Sequence, residues 1–299
     1  MASIITARID PRTVCRYDMD LSLRWGFQSK AEQPQRKPVP VQCSDVLLFK
    51  IILAPVLIAL VSLAGRKWGP SIAGWLLGLP LNSGPILLFL LLEQGPRFAA
   101  DAARGSLLGI LAWAAFCVAY ALCCVKTSWW WSTLIGWAAY FAVGLLLLAV
   151  HLGVTWGFVL VTLALIAILL LFPKAPQSDS PSDAPKPDLW LRMATASIMV
   201  VTLTGVARIL GPTRSGILSA FPAYTSILAV FSHRHGAASA IQALKGVTVG
   251  LYTAAVFLLV LALSLGRLSG ALSFALASGA GLVVQTMSLL YVRRTASEA

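Results

Sequence analysis

The sequence predicts an all-α polytopic membrane protein of about nine transmembrane helices, arranged as two four-helix repeats in inverted topology joined by an extra helix and a linker. Composition is the first reason: of 299 residues, 58% are hydrophobic and 11% charged, against about 25% charged in an ordinary soluble domain, and mean hydropathy is +0.83. The second is run length. The Leu/Ala/Val stretches reach the roughly 20 residues of a membrane-crossing helix and lack the short apolar-polar alternation of a transmembrane barrel. The third is a pattern of glycine and proline that occurs twice at a fixed spacing.

Residues 1–44 form a polar tail with seven Lys/Arg and four Asp/Glu. No apolar h-region marks a secretory signal, and a mitochondrial presequence would hold fewer acids. The tail is expected to be disordered, or an upstream start with initiation near Met19. Apolar runs follow at Val46–Gly65, Pro70–Leu92, Ala102–Cys124, Trp129–Val150, Gly153–Phe172, Leu189–Leu210, Gly216–Phe231, Ala237–Leu265 and Leu268–Val292. Pro, Ser and Asp mark 174–188 as a solvent-exposed linker. The resulting division is tail 1–44, membrane repeat 45–150, connecting span 151–173, linker 174–188, second repeat 189–292 and C-terminal tail 293–299. Trp129, Trp130 and Trp131 are expected at headgroup depth, where amphipathic rings anchor spans.

The repeat rests on residues that membrane helices do not share by default. At an offset of 142, Gly69 pairs with Gly211, Pro70 with Pro212, Gly74 with Gly216 and Pro80 with Pro222. Lys50 pairs with Arg192 and Arg66 with Arg208; past a one-residue deletion, Arg104 pairs with Lys245 and Gly109 with Gly250. A fixed-period match of this kind is an internal duplication. Five spans precede the second unit, so it enters the membrane from the opposite side. Basic residues on alternate loops, counted from Lys30, divide nine against ten, a balance that chooses no orientation and suits an inverted pair.

Gly and Pro inside a membrane segment break the helical hydrogen-bond ladder. The freed backbone groups are tolerated only against protein or a water-filled cavity. Interrupted segments at corresponding places in two halves point to a midplane binding site in repeat-built transporters. Beside the breaks lie Asn82 and Ser83 in one unit and Tyr224, Thr225 and Ser226 in the other. These either contact a solute or tie helices together. The matched ionisable positions Lys50, Arg66, Arg104, Arg192, Arg208 and Lys245 are all basic, which suits an anionic solute or lipid phosphate as well as ordinary snorkelling flanks. No acid sits mid-span, which disfavours a proton- or metal-coupled cation carrier.

Other chemistry finds little footing. Basic residues are dispersed, with no dense run or interleaved aromatics, so no nucleic-acid partner is expected. Cys117, Cys123 and Cys124 share one apolar segment without CxxC spacing and read as packing residues. His233 and His235 flank Arg234 with no nearby carboxylate or thiol, so no metal is expected. No catalytic triad, phosphate loop or carboxylate pair can be assembled, and neither an enzyme nor a cofactor is expected. Gly105 and Gly109 form a small-xxx-small step that reads as helix packing.

Each unit resembles the GlpM-like family of small bacterial inner-membrane proteins. The resemblance rests on "LLFK" (47–50) and "LWLR" (189–192), on the basic residue ending the first span, and on "AGWLLGLP" (73–80) beside "SGILSAFP" (215–222). It covers about 210 of the 299 residues; the first unit departs with Leu79 where the second has Phe221. The resemblance implies a multi-pass protein of the bacterial inner membrane, associated with exopolysaccharide production. Two functions stay open. One is a permease or flippase-like carrier of a small anionic or amphipathic solute. The other is a non-transporting accessory of exopolysaccharide or envelope biosynthesis. Membrane lipids are expected partners of either, with a second copy or an envelope-biosynthesis protein as further partners.

Overall fold

The computed structural model describes residues 43–80, 83–148, 152–176, 190–195, 197–199, 202 and 221–297. Almost all of the 1–44 tail, most of the 174–188 linker, Asn82, Arg208, Gly211, Pro212 and Gly216 lie outside the described residues. The chain divides into Met1–Phe49 and Lys50–Ala299. Of the first, residues 43–49 are helical; all packing described below belongs to the second.

The described residues form α1 (Cys43–Trp68), α2 (Pro70–Leu77), α3 (Ser83–Gln94), α4 (Pro96–Cys123), α5 (Trp129–Leu148), α6 (Val154–Leu171), α7 (Ala223–His233), α8 (Ala237–Ser264) and α9 (Gly270–Ser297). Residues 190–195 and 197–199 are also helical. Five of these helices, α4, α5, α6, α8 and α9, are long and apolar enough to cross a membrane. The protein is therefore membrane-embedded and, among the described residues, helical. These five match five of the nine expected runs. The run Pro70–Leu92 is two short helices, α2 and α3, and Gly216–Phe231 is described only from 221, where α7 follows Pro222. α4 begins six residues before its expected Ala102, because Gly95 turns the chain at φ 87° and Pro96 opens the helix. Proline loses nothing at that first position, where its missing N–H would be unpaired anyway.

α8 is the central element. Across its apolar window 72% of the residues are buried, against 22–44% in the other four long helices. The α2, α4, α6, α7 and α9 helices all pack on it. The outward faces of α5, α6 and α9 carry Leu146, Trp156, Leu163, Leu170, Leu282 and Met287 at 60% exposure or more. That is the distribution expected where lipid, not water, is the solvent.

α4 and α8 are built alike. Each has 28 residues and follows a glycine of positive φ, Gly95 at 87° and Gly236 at 117°, 141 residues apart. Each closes with the same bonds. Cys124 N–H donates to Tyr120 O at 2.9 Å and Leu265 N–H to Leu261 O at 3.0 Å. Thr127 N–H donates to Cys123 O at 3.0 Å and Leu268 N–H to Ser264 O at 2.9 Å. The two helices run antiparallel. The start of α4, at Arg97 and Ala100, shares a cavity with Ala262 and Gly266 at the end of α8. At the other end the Cys124 thiol is 4.0 Å from the carbonyl of Ala237.

Candidate site at two helix breaks

The first break is set by glycine contacts. α2 begins after Gly69, at φ 92°, with Pro70 in its first turn. Gly74 and Gly78 then press onto α8: a Cβ on Gly74 would meet the backbone of Ala243, and one on Gly78 the backbone of Gly250. In return, a Cβ on Gly246 would meet Ser71, and one on Gly250 would meet the Trp75 carbonyl. Backbones approach this closely only where both helices present small residues. Gly250 is the fourteenth of 28 residues in α8, so α2 stops beside the middle of the most buried helix. Its last turn tightens, with Gly78 N–H to Trp75 O and Leu79 N–H to Leu76 O both at 3.2 Å. α3 then restarts with Gly84 N–H to Pro80 O at 2.8 Å.

The end of α2 is also tied to α9. The Gln285 amide donates to Trp75 O at 3.2 Å, and the Thr253 hydroxyl donates to Gln285 Oε1. The Trp75 indole N–H donates to Ser288 Oγ at 2.8 Å. Gln285 and Thr253 are both buried. A polar group in such surroundings needs its hydrogen bonds.

The start of α7 repeats the hydrogen bonding at the start of α3. Ser226 N–H donates to Pro222 O at 2.8 Å, the counterpart of Gly84 to Pro80 at the sequence offset of 142. Phe221 packs on Trp137, Tyr140 and Phe141 near the middle of α5, with ring centroids 5.4, 5.5 and 5.8 Å apart. Thr225 and Ser226 are buried. Thr225 Oγ1 accepts from the Trp113 indole at 3.0 Å, and Ser226 Oγ accepts from the Trp137 indole at 3.0 Å while donating to Pro222 O at 2.9 Å. These two residues thus tie α7 to α4 and α5. Each hydroxyl keeps some acceptor capacity. Tyr224 and Ser83 are half-buried and make no side-chain hydrogen bond among the described residues. Among the described residues, they are the free polar groups that follow Pro80 and Pro222.

The basic flanks divide. Arg66 is exposed at the end of α1, and Arg104 is exposed with Nη1 3.3 Å from Asp101 Oδ1. Lys245 is half-buried on α8. Arg192 behaves differently from a snorkelling flank: it is buried, its guanidinium lies 4.8 Å from the Phe231 ring centre, and Nη2 is 3.2 Å from His235 Nε2. His233 is engaged separately, with Nδ1 3.2 Å from the Tyr120 hydroxyl. Among the described residues no group of three His, Cys, Asp or Glu is placed to hold a metal ion. The Trp129–Trp131 triplet is about half exposed at the α4–α5 turn, with Trp130 and Trp131 stacked at 4.4 Å. Cys117 and Cys124 are buried free thiols.

Sequence reasoning missed Gln285 and the three indole donors Trp75, Trp113 and Trp137. Gln285 was visible as the one amide inside the run Leu268–Val292. The tryptophans gave no such signal, because an indole reads as apolar until its N–H meets a partner. No protein-family model matches the chain, and no curated protein or solved structure is significantly similar to it.

Proposed function

We propose that the chain is a multi-pass inner-membrane carrier, a permease or flippase-like protein, made of two inverted repeats whose broken helices frame a midplane site for a small anionic or amphipathic solute. The observation that carries this reading is the pairing of α4 with α8. Helices of equal length, each started by a left-handed glycine 141 residues from the other, lie antiparallel in one core. Antiparallel copies of one element are what inversion of a duplicated unit produces. The end of α2 at Gly78 and the start of α7 at Phe221 lie beside the middles of α8 and α5, where alternating access would place its solute. Ser83 and Tyr224 supply hydrogen-bonding groups there, and Lys245 a positive charge on α8. Flux of anionic solutes into liposomes containing the full chain tests this. Pro80→Ala and Pro222→Ala should each lower flux while expression holds. Unchanged flux in the double variant would reduce the breaks to packing devices.

A specific observation favours the second reading, a non-transporting accessory of exopolysaccharide or envelope assembly related to the GlpM-like proteins. The Trp75 carbonyl and the Thr225 and Ser226 hydroxyls all have intramolecular partners, as in a helix break that serves packing alone. An accessory would give no flux with any solute, and would co-purify with a membrane partner or a second copy of itself.

A further inference from the structure

A cavity of about 400 Å³ opens where α4 starts and α8 ends. Its walls carry three guanidinium groups, Arg97, Arg104 and Arg267, and one carboxylate, Asp101; Ala262 and Leu263 form an apolar side. The volume lies within the roughly 300–1,000 Å³ usual for small-molecule sites. Arg104 is held by Asp101 at 3.3 Å. The guanidinium groups of Arg97 and Arg267 have no hydrogen-bond or ion-pair partner among the described residues, so the cavity keeps an excess of positive charge with free planar donors. These come from segments 170 residues apart in sequence (97 and 267) that only the antiparallel packing of α4 on α8 brings together. Guanidinium forks match the oxygens of a phosphate group and bind it bidentately. Leu263 is 44% exposed beside them, an apolar strip on which an acyl chain can lie.

The opposite end of the same helix pair lacks this arrangement. Two residues past Gly95 stands Arg97; two past Gly236 stands Ala238. At the 141-residue spacing, Asp101 is answered by Gln242, Arg104 by Lys245 and Arg267 by Lys126. Cationic flanks alone would be served by lysine at either end. One end has instead gathered three arginines and an orienting acid around a cavity.

We propose that this cavity binds the phosphate group of an anionic ligand, through Arg97 and Arg267 with Arg104 held in place by Asp101. The site is separate from the helix breaks and does not depend on the solute assigned to them. A phosphate here has two sources, an anionic lipid headgroup or a free phosphate anion. The test uses the purified full chain in neutral detergent and follows its unfolding temperature against dioctanoyl phosphatidic acid, inorganic phosphate and dioctanoylglycerol. Phosphatidic acid should raise Tm saturably, and the Arg97→Gln/Arg267→Gln double variant should weaken that response roughly tenfold or more, the scale of losing a charge-assisted hydrogen bond. Both arginines are exposed, so Tm without ligand should match the parent and folding is not at stake. Lys126→Gln, at the position that answers Arg267, should leave the response intact. Tighter binding of phosphatidic acid than of inorganic phosphate identifies the lipid as the source; equal binding identifies the free anion. The proposal is overturned if the arginine variant responds like the parent, or if dioctanoylglycerol gives the same shift.

Discussion

Gly78, which caps α2, and Gly250 of α8 meet backbone to backbone: a methyl group on either would overlap main-chain atoms of the other segment. This contact ends α2 beside the centre of the core helix, and everything proposed for the break depends on it.

Gly250→Ala and Gly78→Ala should each destabilise the protein by about 1–3 kcal/mol, the range for overpacking a closed contact. Thermal unfolding of purified variants in detergent measures this. Gly105→Ala is the internal control. Gly105 is also a helical glycine, yet a Cβ there meets nothing within 4 Å. Its substitution should be neutral or stabilising by up to about 1 kcal/mol. Equal tolerance at positions 105 and 250 would remove the tight α2–α8 contact.

Gln285→Leu should leave the buried Thr253 hydroxyl without its partner and the Trp75 carbonyl with only its 3.2 Å bond from Gly78 N–H. The expected loss is about 1–3 kcal/mol. Thr253→Val, which keeps the Gln285 to Trp75 bond, should lose less. The order of the two unfolding temperatures is the readout, and a Thr253→Val variant less stable than Gln285→Leu would contradict the account.

Trp113 and Thr225 should be energetically coupled through their 3.0 Å bond. A double-mutant cycle of Trp113→Phe with Thr225→Val should return about 0.6–1.7 kcal/mol, as for hydrogen bonds between membrane helices. Additive losses would show that the bond contributes nothing. Under the carrier reading Tyr224→Phe, which removes a hydroxyl free of such a tie, should raise KM for flux and leave Tm nearly unchanged.

Residue types with one physical meaning were the legible part of this chain. Gly69, Pro70 and Pro80 lie at the limits of α2 and before α3, because neither glycine nor proline continues a helix at ease; Gly74, expected to break the helix as well, lies inside α2 and packs against α8 instead. The long runs were legible for the same reason: α5, α6, α8 and α9 begin and end close to the limits of apolar sequence. Side-chain partners were not legible. Thr225 and Ser226 stood out as polar, but their tie to Trp113 and Trp137 lies across 112 and 89 residues of chain. Arg192 read as a flank, because sequence gives no depth, and it is buried on Phe231. The arginine cavity needed the antiparallel packing of α4 and α8, which spacing implied without saying which residues would meet.

The inverted arrangement is tested most directly by sidedness. Single cysteines replacing Arg97, Lys126, Arg234 and Arg267, in a chain with Cys15, Cys43 and Cys123 changed to serine, can be labelled from either side of a sealed vesicle with a membrane-impermeant maleimide. The account predicts that positions 97 and 267 react from one side and positions 126 and 234 from the other, with a tag in the linker near Pro181 and one at the C-terminus exposed on the side of 126 and 234. Labelling of 97 and 234 from the same side would make α4 and α8 parallel across the membrane and would contradict the inverted pair.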